Sequence, residues 1–240
     1  MIFENIKNII INKQTSWKNK IFLTFDADWA CDEVLSYSID IVEKYGIKAT
    51  FFMTHKTPLL KRLQANPKIE IGIHPNFNFL LNGDFRYGKN INQVVAYYKK
   101  ICPQALSVRS HSMTQSSKIL DAFTSYGLKF ECNHFIPFDA NINLKPWMFW
   151  NAKLAKIPYF WEDDAHCHYG WKWDPIEYYR NRYLKVLDFH PIHVYLNTEN
   201  MARYYKSMEV LSDVSALYRN VNRRKFGIRD FLTKLIEDNI

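Results

Sequence analysis

Asp26 and Asp28 stand one residue apart at the end of an apolar, β-branched run, in the stretch TFDADWACDE at 24–33. Side chains in a strand repeat with period two, so both carboxylates point to one face, where like charges repel unless a cation or a shared proton relieves them. A solvated loop start, or a helix cap at Asp28, would place the same residues with no chemistry attached. Comparable groups close the later apolar runs: His74, Asn76 and Asn78, then Arg109 and His111, then His134, then Glu162, Asp163 and Asp164, and finally His190 and His193. Divalent ions such as zinc take Asp oxygen and His nitrogen, and a catalytic site keeps three protein ligands with one position open. Asp28, His74 and either Asn78 or His111 supply such a set. The metal would bring the pKa of its water toward neutrality, and Asp26, adjacent but not ligating, would remove the proton.

The elements that must position these groups alternate along the chain. KIFLTFDAD reads as a strand, followed by the helix CDEVLSYSIDIVEKYG with Asp32 as cap and Gly46 as stop. IKATFFMT is a second strand, and Thr57-Pro58 opens a short helix. KIEIGIHPN, ALSVRSHS, LKFECNHF, LAKIPYFWEDD and YLKVLDFHPIHVYL complete seven strands, with helices over NINQVVAYYKKIC and SSKILDAFTSYG and one opened by Asp174-Pro175. This order implies parallel βαβ units, in a barrel or an open doubly wound sheet. Reactive groups on nearly every strand end favour the barrel, whose site lies at the C-terminal mouth.

At 240 residues and 48% hydrophobic the chain is read as one domain, 1–240, with a motif-bearing core over about 20–197 and a helical segment over about 198–240. Its four cysteines lack C-x-x-C spacing and read as reduced packing residues, and Cys167 between His166 and His168 reads as part of an exposed loop. No dinucleotide, triphosphate or nucleophile-elbow motif occurs. The net charge of +8 is scattered rather than gathered, so nucleic acid is not an expected partner, while contact with an anionic membrane surface is compatible with it. The first 20 residues lack the pattern of a secretory signal, so the cytoplasm is the expected compartment; the oligomeric state is not legible. Aromatic residues beside polar ones suit sugar stacking. Trp29, Asn76, Trp161 and His193 are the candidate substrate contacts.

TFDAD at 24–28, ATFF at 49–52 and EIGIH at 70–74 together resemble the polysaccharide deacetylases of the NodB homology type, carbohydrate esterase family 4. The chain looks closest to the divergent, WbmS-like branch associated with lipopolysaccharide O-antigen and capsule gene clusters. The resemblance implies an α/β fold, a distorted (β/α)7 barrel, and a divalent-metal hydrolase, zinc first among the ions. Such an enzyme would remove an N- or O-acetyl group from a glycan or sugar precursor, in surface polysaccharide biosynthesis. It makes Asp26 the base, Asp28 and His74 metal ligands, and Arg109 the residue that orients the base. LDFH at 187–190 matches the family's Leu-x-x-His, which makes His190 the acid for the leaving group, oriented by Asp163 in WEDD. HPNFN stands where the family has H-x-x-x-H, and VRSHS where it often has R-x-P-Y, so Asn78 replaces a histidine and His111 is an additional donor. Two alternatives share these residues: a small-amide hydrolase of the allantoinase-like branch, and a metal-free glycan-binding protein on the same barrel.

Overall fold

The computed structural model describes residues 1–179 and 183–240. Among the described residues ten strands form one sheet: β1 (Ile2–Phe3), β2 (Lys20–Asp26), β3 (Ala49–Met53), β4 (Ile69–Ile73), β5 (Ser107–Val108), β6 (Phe130–Glu131), β7 (Trp147–Met148), β8 (Ala155–Lys156), β9 (Trp161–Glu162) and β10 (Lys185–Phe189). Their order is β7-β8-β6-β5-β4-β3-β2-β10-β9, with β1 beside the start of β2, and every pairing but β7 with β8 is parallel. Strands β3, β4 and β10 are buried along their whole length, the continuous burial expected of strands covered on both faces.

Helices fill the crossovers. They are α1 (Asp32–Tyr45), α2 (Leu59–Ala65), α3 (Asn78–Leu81), α4 (Ile91–Ile101), α5 (Ser117–Ser125), α6 (Asp163–Tyr169), α7 (Pro175–Tyr179), α8 (Pro191–Leu196), α9 (Met201–Ser207), α10 (Val214–Asn220) and α11 (Ile228–Glu237). Asp32, expected as a cap, is instead the first residue of α1, and its side chain accepts a hydrogen bond from Thr57. Gly46 ends that helix in the left-handed conformation at φ 58°, as the sequence predicts.

The stretch LAKIPYFWEDD, read as one strand, is bent into two. Ala155–Lys156 pairs with β6, whereas Trp161–Glu162, beyond Pro158, pairs with β10 at the other end of the sheet. Four residues therefore carry the chain from β8 across to β9, and the sheet curls in the manner of the distorted (β/α)7 barrel that the family resemblance implies. The remaining acids of that stretch, Asp163 and Asp164, open α6, so Cys167 and its flanking histidines are helical rather than in a loop. The seventh run also divides: it is a strand only to Phe189, and Pro191, which cannot donate to a ladder, sits in the first turn of α8.

The segment after residue 197 packs onto the barrel. Phe231 of α11 stacks on Trp161 at 4.6 Å between ring centroids and 4° between planes, and the Asn197 amide donates to Asp230 at 2.8 Å. Trp161 is fully buried here, with its indole N–H donated to His166 at 3.1 Å, so it is a core residue and its expected role as a substrate contact is corrected. No helix among the described residues is long and apolar enough to cross a membrane. The four cysteines are free.

Gly72 of the EIGIH stretch is a packing requirement. A Cβ there would lie 2.5 Å from the Phe52 ring and 2.8 Å from the Ser107 carbonyl. Gly72→Ala is expected to cost about 1–3 kcal/mol by overpacking, measured by urea denaturation; an unchanged midpoint would show that the barrel accommodates the methyl group.

Candidate active site

The strand ends converge on a cavity of about 500 Å³ at the C-terminal mouth of the barrel. Asp26 is the last residue of β2, and Asp28 lies in the turn before α1. His74 follows β4 directly. His111, in the short turn after β5, donates its backbone N–H to the Pro75 carbonyl at 3.0 Å, which seats its ring beside His74. His74 Nε2 and His111 Nδ1 each stand 2.8 Å from Asp28 Oδ2. One donor atom from each of Asp28, His74 and His111 lies within 4.8 Å of the others. His74 is buried, yet neither ring nitrogen makes an aligned hydrogen bond among the described residues. A carboxylate flanked by two imidazoles, one of them without an aligned hydrogen bond, is a donor set that zinc takes.

Asn78 does not join this set. Its amide donates to Ser112 Oγ at 3.1 Å and accepts from Thr114 at 3.4 Å. The i to i+4 spacing from His74 does not span one helical turn, because α3 starts only at Asn78. Asn76, expected to meet substrate, accepts the backbone N–H of Asn78 at 2.9 Å and so orders this turn, outside the cavity lining. His193 is also corrected: it is wholly buried in α8, beside Thr198 Oγ1 at 3.1 Å, away from the lining. Of the four expected contacts, Trp29 alone lines the cavity. Its backbone is left-handed, φ 53°, a conformation that costs a non-glycine residue about 1–2 kcal/mol. The indole stands edge-on to His111 at 5.9 Å and stacked on His190 at 5.3 Å.

Arg109 is fully buried behind Asp26. Its Nη1 donates to Asp26 Oδ1 at 3.0 Å and to Thr24 Oγ1 at 2.9 Å, and also contacts Asp188 Oδ1. Its Nε donates to the Cys132 carbonyl at 3.1 Å, while its planar group lies over the Phe52 and Tyr159 rings. The absent side chain of Gly72 therefore matters to Asp26: it leaves room for Phe52, on which the guanidinium rests. One arginine cannot fully neutralise two buried acids. Burial, opposed by Arg109 but aided by the charge of Asp26, pushes the Asp188 carboxyl up to about 8.

His190 faces the cavity from the end of β10. Asp163, the first residue of α6, accepts both its backbone N–H at 2.6 Å and its Nδ1–H at 2.7 Å. Burial disfavours the imidazolium, but the Asp163 charge and hydrogen bond outweigh it and hold the His190 pKa well above the ordinary value. Glu162 and Asp164 line the same side, and burial, reinforced by Asp164 and Asp188, pushes the Glu162 carboxyl well above its usual range.

Several lining residues were not singled out from sequence. Tyr159, His168, Tyr169, Met201 and Tyr205 complete the walls, the last two from the segment whose role sequence reading left open. Asp188 lies within the LDFH stretch itself, and its inward position follows from its register opposite Thr24.

A family model described as WbmS-like polysaccharide deacetylase matches residues 23–208. A crystal structure of a protein from Bordetella bronchiseptica, described as a polysaccharide deacetylase involved in O-antigen biosynthesis, is 44% identical, with a TM-score of 0.94 over 99% of this chain and 98% of that one. A family 4 carbohydrate esterase from Streptomyces lividans, solved with acetate, is 12% identical, with a TM-score of 0.46 over 83% of this chain and 86% of that one. A family 4 pseudoenzyme from Bacillus anthracis is 14% identical, with a TM-score of 0.44 over 92% of this chain and 63% of that one. Among curated proteins nothing matches. A match over most of the chain, together with close agreement in sequence and fold along its whole length, establishes that this chain belongs to the WbmS-like polysaccharide deacetylases.

Proposed function

We propose that this protein is a zinc-dependent hydrolase that removes an acetyl group, N- or O-linked, from a glycan of surface polysaccharide biosynthesis. The observation that carries this reading is the presence of two chemically distinct groups on one cavity: Asp28, His74 and His111 with Asp26 beside them, and His190, which Asp163 holds from behind the lining. The O-antigen assignment of the Bordetella bronchiseptica relative supports the glycan class. We place the reaction in the cytoplasm, with substrate free or presented at an anionic membrane face, for which a net charge of +8 is suited.

Asp28, His74 and His111 would hold the ion. The chemistry that zinc would supply there is that of a Lewis acid, which would acidify water and polarise the acyl carbonyl. Asp26 has one oxygen tied to Arg109, and its other oxygen, Oδ2, lies 3.3 Å from His74 Nδ1. Its carboxylate takes the proton from water as that water attacks the acyl carbon. The tetrahedral species then collapses, the bond from the acyl carbon to sugar nitrogen or oxygen breaks, and His190 supplies the proton that the leaving amine or alkoxide needs. Asp163 keeps the His190 Nδ1–H engaged, so that Nε2 is the atom that delivers it. Trp29, stacked on His190, offers a partly exposed ring face to the substrate.

Calorimetric titration with zinc tests the ligand set. Near-stoichiometric binding is expected for the wild type and for Asn78→Ala, with loss in His74→Ala and His111→Ala. No binding by the wild type would replace the hydrolase with the metal-free glycan-binding alternative. Asp26→Asn should keep the metal and lower kcat for acetate release by about 10²–10⁴-fold; a smaller loss would assign the base elsewhere. His190 acts protonated and its pKa is raised by Asp163, so activity should persist on the alkaline side and fall as that pKa is passed. Asp163→Asn removes the stabilising charge and leaves burial, and the alkaline limb should move to lower pH. A limb that stays in place would remove His190 from the proton-donor role.

A further inference from the structure

The densest basic run of the chain, RNVNRRK at 219–225, takes no part in the chemistry above. It starts at the end of α10 and turns toward α11, and the turn is built around a buried asparagine. Asn222 Oδ1 accepts the backbone N–H groups of Arg224 and Lys225 at 3.1 and 3.0 Å, and its Nδ2 donates to the carbonyls of Asn197 and Lys225 at 2.9 and 2.8 Å. With the asparagine turned inward, Arg223, Arg224 and Lys225 are exposed in succession, and Arg219 is exposed on the helix before them. None of these four cations forms an ion pair among the described residues. Arg223, Arg224 and Lys225 line a hollow of about 380 Å³, and the acid in its wall, Glu199, is already paired with Arg203. Positive charge is therefore left uncompensated around it.

Aromatic side chains flank the turn. Tyr218 is 61% exposed, with the Arg223 guanidinium 4.4 Å from its ring centroid, and Phe226 is 39% exposed, edge-on to Trp173 at 5.8 Å. Clustered basic residues beside exposed rings are complementary to an anionic membrane surface: the charges meet phosphate headgroups and the rings enter the boundary of the acyl layer. A nucleic-acid strand would need the cations drawn out along a groove, whereas here they are gathered in one turn and the helix end before it. The short helix α9 relates this surface to the site, because it gives Met201 and Tyr205 to the lining of the catalytic cavity and Arg203 to the lining of the basic hollow.

We infer that the turn at 222–225, with Arg219 and the flanking Tyr218 and Phe226, is a docking surface for an anionic lipid bilayer, so that the enzyme meets its glycan at the membrane face and not free in solution. The inference rests on the membrane-face part of the reading above and uses no step of the chemistry.

Sedimentation with large unilamellar vesicles tests this. The wild type is expected to bind vesicles of phosphatidylcholine mixed with phosphatidylglycerol, to ignore phosphatidylcholine alone, and to be released by salt. Arg224→Gln/Lys225→Gln removes two exposed charges whose side chains make no hydrogen bond among the described residues, so the fold is expected to persist, checked by the melting temperature. Binding by this variant is expected to weaken about 25-fold, from about fivefold for each charge. Acetate release from a soluble acetylated glycan is measured in parallel and should be equal in variant and wild type. Vesicle binding that is equal in the two proteins, or absent from both, overturns the surface, and acetate release in that case leaves the deacetylase reading standing. Vesicle binding that falls in the variant while neither protein releases acetate supports the surface and removes the deacetylase reading. Inorganic pyrophosphate and a single-stranded oligonucleotide are titrated into the same pair of proteins. Either one bound through these residues in the absence of vesicle binding overturns the bilayer in favour of a soluble phosphate ligand or a nucleic acid.

Discussion

Arg109 is a fixed positive charge with no solvent around it, placed between two aspartates that come from neighbouring strands. Burying Asp26 or Asp188 without a counter-charge would cost several kcal/mol, and burying both side by side would cost more. The guanidinium makes their proximity tolerable, and its planar fork does so in one orientation only, because Phe52 and Tyr159 lie against it and the Cys132 carbonyl takes its Nε–H. The direction of the Asp26 carboxylate follows from this, and so does the side from which it meets His74. A lysine would leave the charge but not the orientation.

The rest of the cavity is arranged around that anchor as two environments with opposite demands. On one side, Asp28 is flanked by His74 and His111, and neither His74 ring nitrogen makes an aligned hydrogen bond among the described residues. On the other, Asp163 at the first turn of α6 raises the affinity of His190 for its proton, while Glu162 is driven in the same direction by burial. In the proposed hydrolysis, the group that would accept a proton, Asp26, and the group that would give one, His190, are thereby held by different partners on one barrel mouth. Trp29 spans the gap between them, and the strained backbone at that residue is the local cost of putting an indole there.

The curl of the sheet depends on an irregularity. The strand broken at Pro158 pairs with β6 before the break and with β10 after it, and that bend brings Trp161, Glu162 and α6 against β10. Asp163 reaches His190 only because of this crossing. The segment beyond residue 197 then seals the outside of the bend through Phe231 and Trp161, and adds Met201 and Tyr205 to the cavity, so it is part of the site's construction and not an appendage.

Much of this was legible in residue order. Alternating strand and helix patterns, the acids ending β2 and the motif run TFDAD, ATFF, EIGIH and LDFH were enough to name Asp26, Asp28, His74, Arg109 and His190 and to expect them at one mouth, because period-two alternation and the chain's parallel crossovers are local properties. What local pattern could not carry was contact between residues far apart in the chain. The choice of His111 over Asn78 depends on a backbone hydrogen bond to Pro75 and on where α3 begins. The burial of Trp161 and His193 depends on α8 and α11 covering them, and the role of Asp188 depends on its register opposite Thr24. The sequence by itself determined which chemical groups stand at the strand ends; the tertiary structure alone decided which of them share a cavity, since that is set by register, by the bend at Pro158 and by the packing of distant helices.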